Sequence, residues 1–189
     1  MVDLPDDILD DLRTRWNEPH RDYHGIAHLE TGLSYLAELG GSEIERVAFW
    51  FHDAVHSNTT PDDELASAEL ARRLLDGVIT PAEIDEVARL VLVTITHNPD
   101  PRDAAGARIS DADLAGLALP WERYQRNVEG IRFELPHVTD AQWRVGRSAV
   151  LERLLGGERL FHTDYGAQHW EERARANLQR ELDELRASA

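Results

Sequence analysis

The sequence predicts an all-α fold, and three observations carry that expectation. Apolar residues recur at i, i+3 and i+4 along nearly the whole chain. Period-2 alternation never runs beyond a few residues. Helix-start and helix-stop residues bracket most of the periodic segments. With 189 residues, 42% hydrophobic content and five Trp, the chain can build one sizeable core and is short for two. It has no linker, internal repeat or low-complexity tract, so residues 1–189 read as a single domain of roughly eight to ten helices.

Ile8, Leu9 and Leu12 mark a short first helix with Pro5 near its start. Asn17-Glu18-Pro19 forms the loop into a helix from Tyr23 to Leu39, stopped by Gly40-Gly41. Ser42 caps a third helix, and Glu45 three residues on makes a capping box. Its apolar stripe of Ile44, Val47, Ala48, Phe51 and Val55 carries that helix through His52-Asp53. Ser57 to Pro61 reads as a loop, and Asp62 to Leu75 as a helix with Gly77 as its stop. Thr80-Pro81-Ala82-Glu83 joins an N-cap, an N1 proline and an N3 acid, opening a helix from Ala82 to Thr96. Val91 to Ile95 is β-branched enough for a strand, but the flanking helical pattern outvotes it. Asn98 to Arg108, rich in Pro, Gly and Asp, reads as a loop before a short helix from Asp111 to Leu117. Helices from Trp121 to Leu135, Asp140 to Leu155 and Trp170 to about Leu185 complete the chain.

The charge excludes several function classes. Asp and Glu number 36 against 20 basic residues, for a formal charge of -16. Such a surface repels phosphate backbones and anionic lipid, so neither a nucleic acid polymer nor a membrane is an expected partner. The absence of Cys removes disulfides, Cys-ligated zinc and thiol nucleophiles. The start, Met1 to Leu12, is acidic where a secretory signal is basic. The longest apolar stretch, Val87 to Ile95, is broken by Arg89 and falls far short of the roughly 20 residues a membrane span needs. A cytoplasmic location is the expectation.

The histidines carry the chemical signal. Nine His placed at random in 189 residues give about 0.4 pairs at i, i+4, the spacing that shares a helix face, yet His20/His24, His24/His28 and His52/His56 are three. His20 sits beside Pro19 ahead of the helix and is discounted. His52-Asp53 lies between the apolar runs Ala48 to Phe51 and Ala54-Val55, at a core boundary where a carboxylate needs a partner. A divalent cation is one such partner, and imidazole with carboxylate suits Mn, Fe, Co, Ni or Zn, or Mg where carboxylates dominate. His28 can supply a third ligand, and Asp111 and Asp113 offer a fourth. His137, His162 and His169 lack such company and read as surface or packing residues. No His-Glu-x-x-His stretch, phosphate-binding Gly-rich loop or Gly-x-Ser-x-Gly elbow is present.

His28, His52-Asp53 and Asp113 on an all-α chain resemble the HD superfamily of metal-dependent phosphohydrolases, and in particular a bacterial group of uncharacterised predicted members. The resembling stretches are Arg21 to His24, His28 to Glu30, Trp50 to His56, Glu64 with Ser67-Ala68, Asp111 to Leu114, Tyr124, Ile131 to Glu134, and Glu171 to Leu178. The resemblance implies His28, His52, Asp53 and Asp113 as metal ligands, with Asp113 chosen over Asp111 for its Ala-Asp-x-Leu context. Tyr-His-x-x-x-His followed by His-Asp-x-x-His also looks like the cyclic nucleotide phosphodiesterases. That likeness implies His24 as the proton donor and His56 as a neighbour of the metal. Gly25 stands where those enzymes have Asn. Only His97 is placed to assist a second metal or the substrate.

Phosphoester hydrolysis needs an activated water, charge neutralisation and protonation of the leaving group. Asp53 is then both ligand and proton acceptor, with His24 or Glu64 as general acid or base. Arg21 can fork onto a phosphate, with Arg132 second. Each has a plainer alternative: a surface charge for Arg21, an ion pair with Glu134 for Arg132, a helix start for Glu64. The expected activity is hydrolysis of a small, nucleotide-like phosphoester. A diiron oxygenase, which needs six ligands, and a non-catalytic metal-containing binding module are the alternatives. Direct ligation brings every donor within about 2 Å of one point, so convergence of the four ligands is the condition to meet.

Overall fold

The computed structural model describes residues 4–187, which leaves the first three residues of the acidic start outside it. The element order is α1 (Asp6–Trp16), α2 (Ile26–Glu38), α3 (Glu43–Phe51), α4 (Asp62–Leu75), α5 (Pro81–Val93) and α6 (Ala104–Leu114). A 3-10 turn (Ala115–Ala118) then leads to α7 (Trp121–Phe133), α8 (Asp140–Gly156), α9 (Asp164–His169) and α10 (Glu171–Ala187). The fold is all-α, with no strand among the described residues. No helix of the described residues is long and apolar enough to cross a membrane.

Two apolar clusters organise these helices. The first is built by α1 to α6 around Leu12, Trp16, Leu29, Phe49, Phe51, Val91 and Ile109. The second joins Tyr124 of α7, Leu151 of α8 and Leu178 of α10 with Leu160 and Phe161. Helix α6 belongs to both: Ile109 and Ala112 sit in the first cluster, while Leu114 packs on the second. Asp113 therefore lies at the seam between the two.

Several boundaries differ from expectation, each for a local reason. Helix α2 begins at Ile26 rather than Tyr23, because Gly25 is extended at its N-cap and residues 22–25 bend. Helix α3 stops at Phe51, four residues before Val55, so His52 and Asp53 stand at its C-terminal end and His56 lies beyond it. Glu45 accepts from Ser42 Oγ as well as Arg108, while the Thr80–Glu83 capping box is complete. The 98–108 segment is loop only to Asp103, whose carboxylate caps α6 through the Gly106 amide. The short helix expected at Asp111 to Leu117 is the end of α6 and its 3-10 continuation. Helix α9, capped by Thr163, was not anticipated.

Close helix contact fixes α2 over α3. Gly32 of α2 sits directly on the fully buried Phe49 ring, and a methyl group there would collide with it. Replacing Gly32 by Ala forces the packed ring to move, and overpacking of this kind costs about 1–3 kcal/mol. Urea unfolding of G32A should show a stability in water lower by that amount, read as a lower midpoint with an unchanged slope.

Candidate functional site

The site begins where α3 ends. The carbonyls of Asp53 and Ala54 lie past the helix and need donors. Arg21 supplies them, with Nη1 2.6 Å from Asp53 O and Nη2 3.2 Å from Ala54 O. Nη1 also donates to His24 O, and Nε and Nη2 both donate to Glu18 Oε2. All five guanidinium N–H groups are thus taken. The side chain is fully buried and lies over the Trp16 ring. Arg21 does not serve as the phosphate fork expected of it, because no donor is left to offer. From outside, His20 Nε2 bonds His56 O at 2.9 Å and holds the far end of the same turn.

This turn meets α2 and α6 in a tight polar group. His28 Nε2 lies 3.3 Å from His52 Nε2 and 3.0 Å from Asp113 Oδ1, and His52 Nε2 lies 3.5 Å from the same oxygen. A metal bound at about 2.1 Å sets its ligand atoms about 3.0–3.4 Å apart in octahedral or tetrahedral order, so this triangle has the dimensions of one face of a metal polyhedron. His52 Nδ1 donates to Phe49 O at 2.8 Å, which turns Nε2 toward the others. Asp53 Oδ2 is 3.3 Å from His52 Nε2, at the edge of the group. His28, His52 and Asp113 could hold a metal ion.

The electrostatics of the group favour a cation. Burial pushes the His52 imidazolium down, yet the Asp53 and Asp113 carboxylates outweigh it and hold His52 well above its ordinary value. Burial pushes Asp53 and Asp113 up, but the facing imidazoles hold both below the usual carboxylate range. Carboxylates that favour a proton on a buried imidazole also favour a cation at the same place, in keeping with a group that could hold a metal ion. Tyr23 packs against His24 and His28. Burial and the Asp113 charge raise its phenol, which stays neutral.

A second group lies alongside. Glu134, just past α7, accepts from the Asp22 and His24 amides at 2.8 Å each and from His24 Nδ1 at 2.6 Å. His56 Nε2 is 3.5 Å from the same carboxylate. These three could also hold a metal ion, but 2.6 Å is the length of a charge-assisted hydrogen bond and shorter than a ligand–ligand edge. Burial pushes Glu134 up, and the bonds from His24 and His56 overcome it, holding the carboxyl well below its ordinary range. The rings of His24 and His56 lie 4.3 Å apart, and His24 is 6.0 Å from His28.

The remaining expected residues are placed as follows. His97 Nε2 is 3.5 Å from Asp113 Oδ2, on a backbone with φ of 52°. Glu64 is buried, accepts from Thr60 Oγ1 and belongs to neither group. Arg132 donates to Leu135 O, Val138 O and Asp140, closing the end of α7, so it neither faces a phosphate nor pairs with Glu134. Asp111 accepts from the His162 and Thr163 amides and from Thr163 Oγ1, at 2.7, 2.8 and 2.6 Å, and so holds the start of α9. Glu134 was named in the resemblance without a role, and His162, read as packing, bonds His97 O at 3.0 Å. No local spacing marks either, since each meets its partner across at least 65 residues.

Comparison with models of known protein families, with curated proteins and with solved structures finds no match to this chain.

The two aspartates of α6 should separate on substitution. Asp113→Ala should weaken Mn²⁺ or Co²⁺ binding, measured by calorimetry, by more than the 10- to 100-fold typical of losing an outer partner. Asp111→Ala should keep metal affinity within a few-fold but lose about 2–4 kcal/mol of stability, because buried donors lose their acceptor.

Proposed function

We propose that this chain is a metal-dependent phosphohydrolase acting on a small phosphoester of nucleotide type. The observation that carries the reading is the pairing of a metal-fitting triad, His28, His52 and Asp113, with a hydrogen-bonded His24–Glu134 pair about 6 Å away. The two groups are near enough for a cation at the triad and a proton donor at His24 to engage one phosphoester.

A divalent ion held by the triad, with Asp53 at its edge, would supply a water of lowered pKa and neutralise phosphoryl charge. The chain's own residues do the rest. Glu134 engages Nδ1 of His24, so Nε2 is the atom that carries a proton to the leaving oxygen. The His24 side chain is 24% exposed whereas that of Glu134 is fully buried, which places the donor toward solvent and its support behind it. Asp53 is held ionised by His52, so it serves as fixed negative charge and ligand more than as a proton store. Arg21 positions the Asp53 and Ala54 backbone from behind.

An iron-pair oxygenase would need ligands that bridge two metals, and the two candidate groups share no residue. A purely structural metal module would have no use for a part-exposed imidazole oriented by a buried carboxylate, and it is distinguished by turnover.

The double variant H52A/D53A should lose both bound metal, by elemental analysis, and phosphatase activity across a panel of nucleotides and sugar phosphates. His24→Ala should keep the metal and lose about 10²–10⁴ in kcat, the scale of a general acid. Retained hydrolysis in H52A/D53A sinks the site, and metal binding without turnover on any panel member makes the chain a binding module.

A further inference from the structure

A cleft of about 1260 Å³ opens beside the metal group, between the segment from Thr96 to Arg108 and the segment from Gly157 to Tyr165. Small-ligand sites usually enclose roughly 300–1000 Å³, so there is room for more than a lone phosphate and a small leaving group. His97 lines the cleft and lies 3.5 Å from Asp113 Oδ2, so cleft and metal group share a wall. The two sides are tied together where His162 Nε2 meets His97 O and where buried Asp111 holds the His162 and Thr163 amides. A cleft braced in this way gives up little freedom when a ligand arrives.

The charges of its lining are unequal in their commitments. Arg102 and Arg108 are paired with Asp100 and Glu45. Arg153, near the end of α8, and Arg159, in the loop that follows, also line the cleft, and neither has a carboxylate partner among the described residues. In a chain of net charge -16, partners for surface guanidiniums abound. Glu38, Glu158 and Asp164 line the same cleft without forming an ion pair with either. Two uncommitted guanidiniums lining one cleft suit an external anion.

We propose that this cleft is a second anion subsite, in which Arg153 and Arg159 hold a phosphate other than the one hydrolysed. The chain would then prefer compact substrates that carry two phosphates over the matching monophosphates. This rests on the phosphohydrolase reading for which phosphate reacts; the binding itself does not.

Calorimetry on the metal-loaded protein tests it with two matched pairs, glucose 6-phosphate against glucose 1,6-bisphosphate and AMP against adenosine 3′,5′-bisphosphate. The bisphosphates should bind roughly tenfold or more tightly than their partners, the scale of one charged hydrogen bond. The double variant R153A/R159A should erase that gap, R153K/R159K should keep part of it, and Arg73→Ala, on α4 away from the cleft, should keep all of it. Equal affinities in the unmodified protein, or a gap that survives in R153A/R159A, overturn the subsite. If the gap behaves as expected while the metal-loaded protein hydrolyses none of the four, the subsite stands and the phosphohydrolase reading falls. If the monophosphates are hydrolysed and no gap exists, the subsite alone falls.

Discussion

One buried guanidinium sets the geometry on which the site depends. Helix α3 ends at Phe51 inside the protein, where His52 Nδ1, Trp16 Nε1 and the Ala54 amide take the carbonyls of Phe49, Trp50 and Phe51, and the buried turn beyond it needs donors of its own. Arg21 reaches across from the chain ahead of α2 and takes the carbonyls of Asp53, Ala54 and His24 at once. Its charge is balanced by Glu18 and its flat face rests over Trp16. The His24–His28 and His52–Asp53 segments are thereby held as one piece. A lysine could not do this, because an ammonium offers three donors without the planar fork.

The seam between the two apolar clusters does the rest. Helix α6 passes from one cluster to the other, and two of its carboxylates take opposite duties. Residues two apart on a helix point about 200° away from each other. Asp113 therefore faces the imidazoles of α2 and α3, while Asp111 faces the start of α9. Gly166 lets α9 come that close, because a Cβ there would press on the Asp111 carboxylate. The wall of the large cleft and the aspartate of the metal group are thus parts of one rigid element.

The acid surplus reads differently with the structure in hand. Several carboxylates are fixed inside: Glu45 to Arg108, Glu181 to Arg147 and Tyr124, Glu134 to His24, Asp111 to backbone amides. Each is satisfied by donors, as a buried charge requires. What remains outside is a repulsive field, against which any anionic ligand must be drawn by local charge. The two arginines that sequence reasoning offered for that task are both committed to backbone carbonyls.

The sequence by itself determined the helical class, most helix spans, the Thr80 cap and the residue types able to take a metal. Those features follow from periodicity, capping and side-chain chemistry, all of them local. It did not show that α3 stops at Phe51, because the apolar stripe runs on to Val55 and only the tertiary fold supplies the Trp16 donor at the helix end and the Arg21 donors in the turn beyond it. Residue chemistry alone left Asp111 and Asp113 open, with only the resemblance favouring Asp113, and it did not give a role to Glu134 or show that Arg21 and Arg132 are spent on backbone carbonyls. The duties of Asp111 and Glu134 depend on hydrogen bonds formed across 50 to 110 residues, which leave no period or spacing to read, and the carbonyls that Arg21 and Arg132 take are exposed to them only by the folded turns.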